Sequence, residues 1–439
     1  FSVSTALSAA CIFVPLTQRL KIMQRHFRKF TMMIILLLAA GFCAEQSNET
    51  RILADWSSPA GQNSVSPNLS LDLSGSPVLS WMKVGENTVA LEYSRWEGSR
   101  WSSLVTVAKG DNWLVNRADF PSVVQLTESL WASHWLVMTD PDIFAYDVAV
   151  SLSTDGGVTW DAPLTPHIDG TFSEHGFVSF FVNGDDVGAV WLDGREMVAT
   201  HGLSMSADGA HGSAGGMTLR STQIKSDGTL TQDQVVDGLV CDCCQTDIAQ
   251  SDQGPVLVFR NRTKDEYRDI YFSRMIEGQW SEPKPVSVDG WKIAGCPVNG
   301  PSVATNDEAT AVAWYTQAKG YGEVKLAVSG AGVDSFSDPL VVDEGVSVLG
   351  QVGLAATSNG GFLVSWMTFS EGTAGQLNLR YVDREGVASS VFEATKITMT
   401  RRAGLPQMVL FDNLAVTTWT GGGETYKAVE VATTQFDTL

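Results

Sequence analysis

The sequence has few basic residues and, beyond its N-terminal segment, no long apolar run. It carries 29 Lys and Arg against 49 Asp and Glu, a formal net charge of −20. A chain this acidic has no basic stripe to displace counterions from phosphates, which argues against a nucleic-acid partner. After residue 44 no stretch reaches the roughly 18 apolar residues of a membrane-spanning helix. We therefore expect no transmembrane span in the mature chain.

The N-terminal segment has the pattern of an export signal. Starting from Met23, a basic stretch precedes the apolar run Met32 to Ala40, and small residues follow it. This order is typical of a secretory signal. We predict that residues 1–44 are a leader, that residues 45–439 form one domain, and that the mature protein is exported, either periplasmic or extracellular. The alternative is lipidation at Cys43, because Leu38 to Cys43 looks like a lipobox; the protein would then be tethered to a membrane.

The sequence also lacks long stretches with the hydrophobic period of an amphipathic helix. It contains a repeated pattern of strands instead. An apolar strand, a polar turn and a second apolar strand ending in an aromatic residue recur along the chain. The closing aromatics are spaced 54, 56, 68, 55, 52 and 53 residues apart. Such a period suits a four-stranded propeller blade. The copies are Pro67 to Trp81, Pro121 to Trp135, Gly176 to Trp191, Thr246 to Phe259, Pro301 to Trp314, Val352 to Trp366 and Pro406 to Trp419.

In several copies a second pattern follows the closing aromatic: a Ser, and an aromatic seven positions after it. Ser94 precedes Trp101 by seven positions, and the same spacing joins Ser153 to Trp160, Ser273 to Trp280 and Ser329 to Phe336. The stretch Ser153 to Trp160 matches the Asp-box motif, with Asp155 to bond the turn backbone and Gly157 to supply a positive φ. The chain therefore resembles the sialidase-like Asp-box (BNR-repeat) propellers, in an exported bacterial branch. We assign Ser153, Asp155, Gly157 and Trp160 a structural role.

The ends of the chain complete the count of blades. Only one strand, Glu424 to Thr434, remains after Trp419, and Arg51 to Trp56 forms an orphan strand before the first copy. Pairing the two would seal the ring and remove its exposed edges. We predict an all-β propeller of seven four-stranded blades, closed by the N-terminal strand. Sialidases resemble six-bladed rings, so six blades is the alternative.

Extra length and polar residues collect in copies three to five. The longest interval contains the loop Val198 to Met217, with His201 and His211, and the segment Asp233 to Cys244. Around these insertions Arg is dense for so acidic a chain, and an Arg fork suits the carboxylate or sulfate of an acidic sugar. The candidate substrate-binding residues are Glu174, His175, Arg195, Arg220, Arg260, Arg262, Arg268 and Asp269.

Catalytic roles follow from the same cluster. Asp193 and Glu266 are the candidate acid/base pair, and Tyr315 (or Tyr267) is the candidate nucleophile. The resemblance implies a Tyr in that role, because sialidases are the glycosidases that use one. The Arg-Ile-Pro motif of sialidases is missing, so no catalytic residue is carried over by alignment. The alternative interpretation is that these charges form ion pairs and braces between blades.

Four cysteines remain once Cys11 and Cys43 of the leader are set aside: Cys241, Cys243, Cys244 and Cys296. Export favours disulfides, yet every complete pairing of the four places one bridge inside Cys241 to Cys244. Either one bridge is strained, or two thiols stay free for a metal or a redox role. In each case Cys296 is expected to tie copy four to copy five. No cofactor is indicated beyond a metal ion at this cluster.

Taken together, these features predict a sialidase-like glycoside hydrolase, of the exo-α-sialidase type, that acts on an acidic carbohydrate or glycoconjugate outside the cytoplasm. Two alternatives stay open. One is a propeller that binds glycan or protein without catalysis. The other is a metal or redox propeller centred on the cysteines.

Overall fold

The chain was analysed as a computed structural model that describes residues 51–52, 56–140, 143–197, 216–332, 334–372, 374–398, 405–422 and 428–436. The predicted leader with Cys43, and most of the loop Val198 to Met217 with its two histidines, lie outside these residues. No helix in the described part of the chain is long and apolar enough to cross a membrane.

The described residues form seven antiparallel sheets of short strands, and the helical content is one turn at residues 195–197. The first three blades are β2 Ser64–Leu71, β3 Pro77–Val84, β4 Val89–Arg95 and β5 Val105–Gly110; β6 Trp113–Leu114, β7 Ser122–Gln125, β8 Trp131–Asp140 and β9 Ala145–Ser153; and β10 His175–Asn183, β11 Asp186–Asp193, β12 Met217–Ile224 and β13 Gln234–Val240. In the second blade β6 and β7 both pair with β8 and together take the position of the first strand, so that β8 is the second strand and β9 the third.

The next three blades follow the same order. They are β14 Asp247–Ser251, β15 Gly254–Arg260, β16 Ile270–Ile276, β17 Gln279–Trp280 and β18 Lys284–Pro285; β19 Ser302–Thr305, β20 Ala309–Thr316, β21 Gly322–Gly330 and β22 Leu340–Gly345; and β23 Val348–Ala356, β24 Phe362–Glu371, β25 Ala374–Val382 and β26 Phe392–Thr398. The seventh blade contains β27 Gln407–Phe411, β28 Leu414–Gly421 and β29 Ala428–Gln435, with β1 Arg51–Ile52 as its fourth strand.

The ring closes through its N-terminal strand, as predicted. Arg51 pairs with Gln435 and Ile52 with Thr434, antiparallel. The first strand of blade one, β2, also contacts β27 and β28 of the last blade. The count of seven blades is confirmed, and the alternative of six is wrong for this chain.

The repeat aromatics occupy one structural position, on the second strand of each blade. Six of the seven are almost fully buried: Trp81, Trp135, Trp191, Phe259, Trp314 and Trp366. The seventh, Trp419, is half-buried. These residues pack with branched aliphatic side chains between sheets. Each buried ring contributes about 3 kcal/mol or more of hydrophobic stabilisation, which explains why the period is visible in the sequence.

The second sequence signature forms the turn after the third strand. At Ser153 to Trp160, Asp155 Oδ1 accepts hydrogen bonds from the backbone N–H groups of Val158 and Thr159 at 3.1 and 2.9 Å. Gly157 has φ +85° and its carbonyl accepts the Tyr93 hydroxyl at 2.5 Å. The motif is a self-bonded turn packed on the neighbouring blade. In this blade the fourth strand is reduced to an isolated bridge between Val150 and Leu164.

The direction of the strands defines two faces of the ring. We call upper the face at which each first strand begins, each second strand ends and each third strand begins. The turn at Asp155 lies on the opposite, lower face, because it follows the end of a third strand. The polar residues of copies three to five lie on the upper face, where His175 begins β10 and Asp193 ends β11.

Candidate functional site

A tyrosine and two carboxyl groups meet on the upper face, between blades two and three. Tyr146, near the start of β9, donates its hydroxyl to Glu174 Oε2 at 3.3 Å. The same two residues form a parallel backbone bridge. Asp119, on the loop before β7, accepts the backbone N–H of Phe177 at 2.8 Å. We call Asp119, Tyr146 and Glu174 the carboxyl–tyrosine group.

Asp119 is a buried acid with one unused oxygen. Burial raises the pKa of Asp119 to about 7, against a weaker lowering by the Phe177 N–H, and the charge of Glu174 adds to the rise. Its Oδ2 is buried and has no hydrogen-bond partner among the residues that the structure describes. A side chain at Gly176 would place its Cβ 1.9 Å from that oxygen and 3.1 Å from the Tyr146 ring. Gly176 is therefore required for the two groups to share this space.

Blade five repeats this arrangement with an amide. Asn299 Oδ1 accepts the backbone N–H of Gln351 at 2.7 Å, and both Gln351 and Phe177 have positive φ, +57° and +56°. Asn299 Nδ2 also donates to the carbonyls of Pro297 and Leu349, each at 3.2 Å. A carboxylate at this position has nothing to donate. Asp119 thus differs from its counterpart by a titratable oxygen where the amide has an N–H donor.

Exposed apolar side chains lie on the two loops that lead to Tyr146 and Glu174 of the carboxyl–tyrosine group. Phe144 contacts the Tyr146 ring edge-on at 5.4 Å, and 57% of its surface is exposed. Phe172, two residues before Glu174, is 58% exposed, and Ile143 and Ile168 on the same two loops are also exposed. Glu174 itself is half-buried. Exposed apolar surface of this kind, rimmed by polar groups, marks a binding surface.

A second group of charges lies beside it, around His175. The His175 ring is fully buried and stacks on His167 with centroids 3.8 Å apart. Its Nδ1 lies 3.3 Å from Asp147 Oδ1, and its Nε2 lies 3.4 Å from Asp169 Oδ2. Burial lowers the pKa of His175, but the hydrogen bond to Asp147 and the charges of Asp193, Asp169 and Asp147 more than compensate and raise it.

Asp193 belongs to this second group as an anchor for Arg195. Its oxygens accept Arg195 Nε at 2.8 Å, Arg195 Nη2 at 2.6 Å and Trp191 Nε1 at 2.8 Å. Burial raises the pKa of Asp193, but Arg195, His175 and Trp191 together lower it below its usual value. Arg195 also reaches Asp169 and Asp233, and Asp233 pairs with Arg220. These partners hold Asp193 ionised and leave it no proton to give.

A third group joins arginines and cysteines at blade four. Glu266 accepts Arg262 Nη2 at 2.7 Å and Arg268 Nη2 at 2.8 Å. Burial raises the pKa of Glu266, but these two arginines lower it below its usual value. Arg262 is bonded on its other side to Asp242 at 3.0 Å, and Arg268 Nη1 donates to Cys241 Sγ at 3.3 Å. Each guanidinium is therefore already bonded to a carboxylate within the protein.

Two predicted substrate-binding residues are braces between blades. Arg260 is 2% exposed and donates to the carbonyls of Asn299, Arg268 and Tyr315 at 3.0, 2.6 and 2.8 Å. Asp269 accepts the backbone N–H groups of Gly290 and Trp291, each at 3.0 Å. Both side chains form their hydrogen bonds with backbone groups of the protein. These bonds fit the alternative interpretation of the two residues as internal braces, and a substrate contact through either of them stays a prediction.

The three predicted catalytic residues are not brought together. Asp193 lies in the second group and Glu266 in the third, and no hydrogen bond or ion pair joins them among the described residues. Tyr315 is buried against Trp291, and burial raises its pKa. Tyr267 is 41% exposed, with the Lys292 ammonium 5.4 Å from its ring centroid. Glu174 alone of the predicted site residues falls in the carboxyl–tyrosine group, and Asp119 and Tyr146 were missed.

The cysteines divide into one bridge and one free pair. Cys243 is bonded to Cys296 across 53 residues, with Cα atoms 5.9 Å apart. The expected tie between copies four and five is confirmed. Cys241 and Cys244 are free and buried, with their sulfurs 3.0 Å apart. Burial raises the pKa of Cys241, but the Cys244 thiol and the charges of Arg268 and Arg260 lower it to about 6.

Three sets of side chains have the spacing to hold a metal ion: Cys241, Cys243 and Cys244; Asp147, His167 and His175; and Asp169, His175 and Asp193. With Cys243 bonded to Cys296, two thiols remain in the first set, short of the four ligands of structural zinc. In the third set, the Arg195 guanidinium already bonds Asp169 and Asp193. In the second, the His167 and His175 rings are stacked with nearly parallel planes.

Comparison with known proteins found matches among solved structures. No protein-family profile and no curated protein matches this chain. Among solved structures, it is similar to the α-L-arabinanase of Penicillium chrysogenum complexed with arabinobiose (TM-score 0.46, 11% identity, 89% of this chain and 99% of that one). It is similar to the leech intramolecular trans-sialidase (0.43, 10%, 81% and 82%) and to a protein of unknown function from Dyadobacter fermentans (0.44, 14%, 88% and 99%).

Proposed function

We propose that the protein is a glycoside hydrolase whose reacting centre is the carboxyl–tyrosine group, and that an α-linked acidic sugar of the sialic acid type is its substrate. One observation carries the proposal: the hydrogen-bonded pair Tyr146–Glu174 lies beside Asp119, whose pKa is raised to about 7. Glycoside hydrolysis needs a group that gives a proton near neutral pH and a nucleophile on the other side of the bond.

Each residue has a distinct role in this mechanism. Asp119, protonated through much of the range below pH 7, gives its proton to the departing glycosidic oxygen. Glu174 takes the proton of the Tyr146 hydroxyl, and the phenolate oxygen attacks the anomeric carbon. Tyr146 stays protonated until it reacts, because burial and the charges of Asp119 and Glu174 raise its pKa well above its usual value. Its hydroxyl therefore carries no charge that would repel the carboxylate of an incoming acidic sugar. Water then attacks the anomeric carbon and gives a proton to Asp119, while the bond to the Tyr146 oxygen breaks and Glu174 returns the proton to that oxygen.

The surroundings support a carbohydrate substrate. Phe144 and Phe172 offer exposed rings next to the group, on which the apolar face of a sugar could stack. Arg117, exposed and two residues before Asp119 on the same loop, is a cation placed to attract an acidic group. The export signal predicted from Met23 fits a substrate outside the cytoplasm.

The test is hydrolysis of a fluorogenic α-sialoside by the wild-type chain and by three variants. We expect Tyr146→Phe, Glu174→Gln and Asp119→Asn each to reduce kcat by at least about 10²-fold, in line with loss of a general acid/base or a nucleophile. Tyr93→Phe is the matched control. Tyr93 is equally buried with a bonded hydroxyl, but it lies at the lower face, so its loss should leave kcat unchanged.

Two outcomes would contradict the proposal. Turnover that survives in Asp119→Asn would make Asp119 a structural cap like Asn299. Binding of sialyllactose by the wild-type chain with no detectable hydrolysis would favour a non-catalytic glycan-binding propeller.

A further inference from the structure

The four cysteines of blades four and five form two pairs at different depths. Cys241 and Cys244 are 1% and 2% exposed, and both carry free thiols. Cys296 is exposed and Cys243 half-buried, and these two share the disulfide. The buried pair is reduced and the outer pair is oxidised. No step of the proposed hydrolysis uses either pair.

The two pairs are within reach of each other. Cys241 Sγ lies 3.0 Å from Cys244 Sγ and 4.0 Å from Cys243 Sγ of the bridge. A thiol this close to a disulfide sulfur needs little movement to attack it. The spacing Cys241-Asp242-Cys243-Cys244 also places the buried thiols three positions apart, the spacing of redox-active dithiols.

The local charges favour the attacking form. Thiol–disulfide exchange proceeds from a thiolate. Arg268 Nη1 donates to Cys241 Sγ at 3.3 Å, and Arg268 is itself 3% exposed, so its charge acts with little screening by water. The lowered pKa of Cys241 leaves a substantial thiolate fraction at neutral pH. Burial raises the pKa of Cys244, which suits a second thiol that reacts after the first.

We propose that these cysteines form a redox-active relay, in which the buried Cys241/Cys244 dithiol exchanges with the exposed Cys243–Cys296 disulfide. The Cys241 thiolate attacks Cys243 Sγ, and the Cys243–Cys296 bond breaks to release the Cys296 thiolate, which takes a proton from solvent. Cys244 then loses its proton and attacks Cys241 Sγ, and the Cys243 thiolate is released and protonated. Two electrons and two protons pass from the inner pair to the outer pair, and no external oxidant or reductant is consumed.

Through this relay, electrons can pass between the buried dithiol and a thiol or disulfide in the surrounding solution. Cys296 is the end that a thiol- or disulfide-bearing molecule can reach, and the inner pair stores the exchanged electrons out of solvent. Opening the outer bridge also unties the loop before β19 from the loop before β14. The inference does not depend on the proposed hydrolysis.

The test labels the native, chelator-treated chain with N-ethylmaleimide at pH 7.5 in the absence of reductant, followed by acid quench and peptide mapping. Mapping assigns each label, so Cys11 and Cys43 do not enter the result. We expect maleimide on Cys243 and Cys296, and a new Cys241–Cys244 bridge, because each released outer thiol is trapped. If the chain is purified with both bridges formed, one molar equivalent of a phosphine opens one of them before labelling.

Two variants separate the steps. Cys244→Ser should stop at the intermediate, with a Cys241–Cys243 bridge and maleimide on Cys296 alone. Cys241→Ser should keep the Cys243–Cys296 bridge and take up no label on Cys296. The proposal fails if the wild-type chain retains the Cys243–Cys296 bridge after prolonged exposure, or if the labels appear on Cys241 and Cys244. The wild-type result decides the matter even where a variant folds poorly.

Discussion

Replacing Asp119 by Asn should make the protein more stable, by an amount that grows with pH. The pKa of Asp119 is about 7 in the folded chain and 3.8 by its ordinary value. Between these limits the unfolded chain releases this proton while the folded chain retains it, so wild-type stability falls as pH rises from about 4 to about 7. The difference of about 3 pKa units corresponds to roughly 4 kcal/mol, fully lost above pH 7.

Asn299 shows that the same pocket geometry accepts an amide. Because Asn299 caps Gln351 as Asp119 caps Phe177, Asp119→Asn should keep the fold and add a donor where the carboxylate has none. We expect the two chains to be about equally stable near pH 4, and the variant to be more stable by up to about 4 kcal/mol at pH 8. The assay is urea unfolding followed by tryptophan fluorescence at pH 4.5, 6 and 8.

The reciprocal variant, Asn299→Asp, is the matched control. It should lose a similar free energy of unfolding at pH 8 and recover most of it at pH 4.5. Parallel pH profiles for wild-type and Asp119→Asn would refute the reasoning, since they would mean that Asp119 ionises normally. A variant that gains stability while losing turnover would show a residue kept for chemistry at a cost in stability.

Three further predictions concern the scaffold. Trp314→Ala should cost about 3–5 kcal/mol of unfolding free energy, measured by calorimetry or urea titration, because its ring is fully buried. The control Trp419→Ala should cost clearly less, because Trp419 is half-buried, and equal losses would contradict the packing argument. Arg260→Met should cost about 3–5 kcal/mol of unfolding free energy, because three carbonyls lose their charged donor. The control Arg100→Met, at an exposed site, should change the unfolding free energy by under about 0.5 kcal/mol. A similarly small change for Arg260→Met would mean that water replaces the guanidinium. Gly157→Ala should lower the melting temperature more than Gly98→Ala. Both glycines have positive φ, but only at Gly157 would the new Cβ meet the Tyr93 hydroxyl. Equal shifts in melting temperature would mean that φ alone determines the effect.

The fold could be predicted because its main signals are local and repeated. Each of the seven copies contributes an aromatic at the same point of its second strand, so the period stands out even though the copies share little else. The orphan strand at Arg51 was assigned correctly because an unpaired edge must be covered. The reduction of the fourth strand in blade two was not foreseen, since a single bridge at Leu164 leaves no pattern in the sequence.

The site was harder to predict because it depends on which charges are already paired. Arg260 and Arg262 look like ligand-binding residues in the sequence. In the structure Arg260 donates to backbone carbonyl oxygens and Arg262 to carboxylates of the protein itself. Tyr146 alternates like any core residue of a strand, and its contact with Glu174 depends on a bridge between strands of neighbouring blades. One signal for Asp119 was present: Asp119-Phe120-Pro121-Ser122 aligns with Asn299-Gly300-Pro301-Ser302 and puts an acid in place of an amide.

The closure of the ring also determines how the molecule responds to force and to rearrangement of its chain. Because Arg51 lies opposite Gln435, tension applied between these two points would open the last blade one backbone pair at a time, as a zipper opens, rather than load several bonds at once. The same proximity means that a short linker could join Arg51 to Gln435 while a new break is made in a lower-face turn. Such a circular permutant would retain every strand pairing of the ring, with a different blade holding the seam.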